Sequence, residues 1–187
     1  TVTPTPTLTP TPTPTDPFIN CSHSSIKDHV AGNISDNGGV FIGDSHGTAS
    51  MTTWLADYVE DLGIDVFFIE MVYSVDQDLI DNYQNASHPR FGSPEYCALY
   101  DAMDGWNGMD PACCEGAWDP DNFATEYIRI IEACTVEGIK VVGIDCARGA
   151  NELDCASGGS SNDHWATIIN DYLEDNNGDN KMDFIFK

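Results

Sequence analysis

Basic side chains are scarce in this 187-residue sequence: 7 Lys and Arg stand against 31 Asp and Glu, a formal net charge of −24. A polyanion of that strength repels phosphate backbones and anionic lipid, which excludes nucleic acid and membrane surfaces as primary partners. Long apolar runs are lacking too. None approaches the roughly 20 residues a helix needs to cross a bilayer, so no membrane span is expected. The seven cysteines do not form a paired C-x-x-C framework for zinc. Core-forming material is not short, however. With 41% hydrophobic and 10% aromatic residues the chain can pack one ordinary domain, and wholesale disorder is excluded.

Seven cysteines (Cys21, Cys97, Cys113, Cys114, Cys134, Cys146 and Cys155) are many for a reduced compartment, and disulfides are the expected use. Cys146 is expected to pair with Cys155 across a short loop, and Cys97 with Cys113 or Cys114. The odd count leaves at least one thiol over, assigned to Cys134 inside an apolar helical run. Asn20, Asn33 and Asn85 each open an Asn-x-Ser sequon. Residues 1–16 form a Thr-Pro tail with the composition of an O-glycosylated stalk, its acceptors being Thr3, Thr5, Thr7, Thr9, Thr11 and Thr13. No Met or leader precedes Thr1, which predicts a processed or partial product. These features together predict a secreted, extracellular glycoprotein.

The tail also has a parity. Every odd position from 1 to 15 is Thr, and Pro occupies positions 4, 6, 10, 12 and 14. In an extended strand alternate residues present N–H and C=O to opposite edges, so one edge can pair and the Pro edge cannot. Leu8 stands in a Pro-parity slot as an apolar anchor. The pattern predicts strand addition onto a second copy of the chain, with Thr5, Leu8 and Thr9 at the contact. Head-to-tail docking of that kind builds an open filament unless a ring closes. A glycosylated spacer is the plainer alternative.

The folded part is expected over residues 17–187 as an α/β domain. Strands are predicted at 39–43, 65–71, 140–145 and 181–186, and helices at 52–62, 79–83, 123–136 and 163–173, with Gly63 and Gly138 as helix stops. Residues 84–120 read as a long irregular, disulfide-bearing insertion. Alternating strands and helices imply a mostly parallel sheet of about four strands flanked by helices. Ligands of such sheets bind beyond the carboxyl ends of the strands. Asp44, His46, Glu70 and Asp145 are expected together at that rim. The last strand is expected to leave an unpaired edge for an incoming tail.

Ile42-Gly43-Asp44-Ser45-His46-Gly47, then Phe68-Ile69-Glu70-Met71 with Gln77, Leu79, Asp81 and Tyr83, resemble segments of the ChaN, erythromycin-esterase and Tiki-like superfamily. Tyr127 to Asp145 is similar to its next helix and strand, and Asn162 to Ala166 to a later helix start. The resemblance covers 40–145 well. It implies an esterase, protease or haem-uptake activity, with His46 and Glu70 as the catalytic or ligand pair and Asp44 in place of the usual Glu. Two family features are absent: the Arg of the last helix, and a Gly-x-x-His loop after the last strand. Either the chain is truncated or the domain is reused as a scaffold.

In chemical terms, a histidine beside carboxylates serves as an acid or base near neutral pH, or shares a divalent metal with them. Ser45, just ahead of His46, is not assigned as a nucleophile. Asp175, Asn177, Asp179 and Asp183 follow the alternate-oxygen spacing of a calcium loop, without its Gly or its final Glu. Calcium is thus the candidate cofactor. Three functions remain open: a self-assembling structural subunit (the first choice), an extracellular esterase or protease using the His46/Glu70 rim, and a cation- or haem-binding module with Met71 and Tyr73 near the rim.

Overall fold

In a computed structural model of the chain, the described residues are 23–43, 49–86, 91–106, 123–146, 161–176 and 184–186. Among them, strands β1 (Gly39–Phe41), β2 (Val66–Tyr73), β3 (Lys140–Asp145) and β4 (Phe184–Phe186) form one sheet in the order β1-β4-β2-β3. Every pairing is parallel. The helices are α1 (His23–Asn37), α2 (Ala49–Leu62), α3 (Gln77–Asn85), α4 (Pro94–Trp106), α5 (Phe123–Val136) and α6 (Ser161–Asn176). A 3-10 turn, Ser74–Asp76, joins β2 to α3. The α/β class and the small parallel sheet are as the sequence implies. Gly63 and Gly138 follow α2 and α5 with φ of 64° and 72°, a conformation glycine adopts without a Cβ clash.

Chain direction decides which helix covers which face. The steps β1 to β2 and β2 to β3 run one way across the sheet, and β3 to β4 runs back over β2. Right-handed crossovers then put α2 and α5 on one face and α6 on the other. The packing agrees: α2 lies along α5, and α6 lies against β3. Within β2, Phe67 and Ile69 join the large core with Leu55, Val59, Ile128 and Ile131. Val66 and Phe68 join a small cluster with Val142, Ile144 and Ile169. β2 is therefore covered on both faces, which is why its sequence is apolar without a break.

Three expectations change. Residues 84–120 are not irregular throughout, because α4 lies within them. Tyr96, Leu99, Tyr100 and Met103, spaced as one helical face, are all buried. The helix α1 was not foreseen either; Ile26 and Val30 pack on the large core and Ile34 is buried in it. Finally, β4 is no edge strand. Phe184 pairs with Gly39 on one side and Val66 on the other, so β4 sits inside the sheet and offers no free edge to a tail.

The sheet edges are β1 and β3, and β3 is closed by side chains of α3. Gln77 donates to the Val141 carbonyl (3.0 Å) and accepts from the Gly143 N–H (2.8 Å). Gln84, two turns on, donates to the Ile139 carbonyl (2.9 Å) and accepts from the Val141 N–H (3.1 Å). Two glutamine amides thus stand where the peptide groups of a further strand would be. Asp81 between them accepts from Gln77 and from Lys140 of β3, both at 2.6 Å.

Candidate active site at the carboxyl end of the sheet

β2 carries an irregularity where the site begins. Ile69 pairs with Gly143 and Tyr73 with Asp145, so four residues of β2 advance against two of β3. Met71 and Val72 consequently both enter the large core, which strict alternation forbids. The bulge presses on Gly143: a Cβ there would lie 2.9 Å from the Val72 carbonyl oxygen and 3.1 Å from its Cβ. Only glycine fits under it. Glu70, half-buried, stands at the start of the bulge and shares the parity of Val66 and Phe68, the α6 side.

β2 and β3 are neighbours whose outgoing connections depart to opposite faces, toward α5 and toward α6. That is the topological switch point, where a parallel sheet opens a crevice beyond its strand ends. Four side chains meet there. Asp145, the last residue of β3, is 1% exposed and accepts a hydrogen bond from the Trp165 indole Nε1 at 3.3 Å. Ser74, the first residue past β2, has its Oγ 3.3 Å from Nε2 of His164 in the first turn of α6. Ser74 and His164 are half-buried, within reach of solvent. Two residues on, burial and the nearby Asp78 charge raise the Asp76 carboxyl above its ordinary value.

Of the rim residues expected from sequence, Glu70 and Asp145 are brought to the β2–β3 pair. Asp44 and His46 lie outside the described residues. So do Asn177, Asp179 and Asp183; Asp175 is exposed in the last turn of α6. Among the described residues no group of three His, Cys, Asp or Glu could hold a metal ion. Met71 is core, 2% exposed.

The thiols divide. Cys134 is fully buried, and burial pushes its thiol up to about 12. Cys97 is a buried thiol on α4 and not half of a disulfide, contrary to the expected link to Cys113 or Cys114; its side chain faces the helix's packed side. Cys146, just past Asp145, is disulfide-bonded. Cys21, Cys113, Cys114 and Cys155 lie outside the described residues, as do Asn20, Leu8 and the tail threonines. Asn33 is inside α1, its Nδ2 donating to the His29 carbonyl, while Asn85 is exposed at the end of α3. No described helix is long and apolar enough to cross a membrane.

Ser74 and His164 went unmarked in the sequence. They are 90 residues apart, and nothing in local spacing links them. Gly43-Asp44-Ser45-His46-Gly47 also spells Gly-x-Ser-x-Gly letter by letter, between β1 and α2. Residues 44–48 lie outside the described residues. Elsewhere, an open groove of about 450 Å³ runs between α3 and α4, with Leu79, Asn82, Pro94 and Glu95 on its walls. Among the described residues Glu95 is the one ionisable side chain lining it, which suits it poorly to acid–base chemistry.

No family model matches the sequence, and no curated protein does. Among solved structures the chain is similar to the type III effector HopBA1, at 16% identity and a TM-score of 0.54, over 86% of this chain and 70% of that one. It also overlaps RRSP, a MARTX toxin effector domain from Vibrio vulnificus CMCP6, at 17% identity and a TM-score of 0.45, over 88% of this chain and 31% of that one. At such identities the likeness to HopBA1 is one of fold.

Proposed function

We propose that this chain is a secreted hydrolase that cleaves an ester- or peptide-type acyl bond in the crevice between the carboxyl ends of β2 and β3. The observation that carries the reading is the set of ionisable groups at the topological switch point. Glu70 stands on the bulge, Asp145 is buried and accepts from the Trp165 indole N–H, and His164 of α6 lies 3.3 Å from the Ser74 hydroxyl just past β2. A half-buried carboxylate and a histidine at one rim are the group types that carry proton transfer in hydrolysis. The resemblance to the ChaN, erythromycin-esterase and Tiki-like group supports the same chemistry. The cysteine content and the bonded Cys146 support an oxidising compartment. The test is a panel of nitrophenyl esters and fluorogenic peptides offered to the full chain and to Asp145→Asn, which keeps the acceptor for Trp165 and removes the charge. Turnover above background, reduced about 100-fold or more in the variant, is expected. No turnover of either class would end the reading.

A second reading rests on a different observation. β1 is the outer strand on the side of the sheet that α3 does not close, and its Phe41 is 66% exposed. The alternation of Thr and Pro at residues 1–16, read as an extended strand, predicts one pairing edge. We propose that the tail of one copy adds to β1 of the next, making the secreted domain a self-assembling subunit. Electron microscopy of the full chain beside a variant lacking residues 1–15 decides it: filaments lost on truncation support assembly, and monomers in both refute it.

A further inference from the structure

Resting on the hydrolase reading, we propose that Ser74 is the nucleophile of this crevice and His164 its general base, so that hydrolysis passes through an acyl-enzyme on Ser74. Ser74 occupies the strand-to-helix junction of β2. Tyr73 before it is extended (φ −63°, ψ 141°), and Ser74 opens the 3-10 turn that leads into α3. Its hydroxyl is thereby set at the carboxyl end of a central strand, where substrates of parallel sheets bind. His164 reaches it from the opposite side of the switch point, because the return crossover to β4 starts α6 beside the end of β3. The 3.3 Å separation of Oγ and Nε2 is that of a ligand-free nucleophile–base pair, which tightens when substrate binds. With Nε2 unprotonated the hydroxyl donates to it. Both groups are half-buried, so Oγ is partly accessible to a substrate.

The step balances without any external reactant but water. Oγ bonds to the acyl carbon as its proton passes to Nε2 and the carbonyl π pair moves to oxygen. The tetrahedral adduct collapses, the carbonyl re-forms, and the leaving alkoxide or amine takes the proton from Nε2. Water then attacks the Ser74 ester, giving a proton to Nε2. On collapse that proton returns to Oγ and the carboxylic acid departs.

The experiment is labelling of the full chain by a fluorophosphonate probe, followed by peptide mapping, beside hydrolysis of the ester and peptide panel. A single adduct on Ser74 is expected, lost in Ser74→Ala, slowed about 100-fold in His164→Gln and unchanged in Ser45→Ala. An adduct on Ser45 or on any other residue overturns the proposal. So does hydrolysis that Glu70→Gln abolishes but that leaves no adduct anywhere, in which case the hydrolase reading stands without Ser74. Absence of both hydrolysis and adduct removes both. The wild-type map alone decides the site, so a variant that fails to fold does not obscure the result.

Discussion

The two faces of the sheet are unequal. One is buried under α2 and α5, with α1, α3 and α4 adding to the same core, and holds most of the buried apolar side chains. The other is covered, among the described residues, by α6, whose Ile169 is buried while Trp165, Ile168, Tyr172 and Leu173 are partly exposed. The difference teaches where this fold keeps its stability and where it keeps its chemistry. Apolar burial stabilises by roughly 25 cal/mol per Å², so the thick face dominates the free energy of folding. The thin face carries His164 and Trp165. A site built there can include half-buried polar groups without opening the main core.

Substitutions can break that comparison. The largest effect is expected at Phe67, fully buried on the thick face: Phe67→Ala should cost about 3–5 kcal/mol in denaturant unfolding. Ile169→Ala on the thin face should cost near the lower end of the aliphatic range, about 2 kcal/mol. Equal losses would mean the faces are energetically alike. Gly143→Ala comes next. Its Cβ would meet the Val72 backbone at 2.9 Å, so it should cost about 1–3 kcal/mol and displace the bulge that holds Glu70. A crystal structure of that variant, with the register of Tyr73 and Asp145 altered, would sharpen the point. Gln77→Ala should cost about 1–2 kcal/mol, because the edge of β3 loses a donor and an acceptor at once. Amide exchange at Gly143 should rise in that variant and remain unchanged in α2.

The smallest effect is a pH dependence. Burial would raise the Asp81 carboxyl, but hydrogen bonds from Lys140 and Gln77 and the Lys140 charge outweigh it, leaving its pKa below the ordinary 3.8. A group lowered in the folded state contributes stability that is complete above its unfolded pKa and lost as pH falls through the folded one. The closure of the β3 edge should thus hold above about pH 4 and weaken below it. Both partners are more than a third exposed, so the contribution is small and screened by salt. Asp81→Asn should flatten that acid limb in a urea titration.

Much of the frame was legible in the sequence. The unbroken apolar run at 66–69 announced a strand covered on both faces, and Gly63 and Gly138 marked helix ends because the αL conformation favours glycine. The stripe of α4 was present at Tyr96, Leu99, Tyr100 and Met103, but the surrounding Gly, Pro and Cys residues obscured it. The place of β4 was not legible. Strand order is set by crossovers, and a six-residue stretch at the end of a chain says nothing about which neighbours it finds. Glu70 and Asp145 were readable as strand-end acids. Ser74 and His164 were not, since their encounter depends on the return crossover that starts α6 at the end of β3.

The most direct measurement is the turnover of Glu70→Gln read together with its melting temperature. Glu70 lies at the bulge of the proposed site and outside both apolar clusters. The expected result is a rate lower by at least about 100-fold with a melting point within a few degrees of the parent. Turnover unchanged in the variant, or lost only in proportion to unfolding, would contradict the assignment of the β2–β3 crevice as the seat of the chemistry.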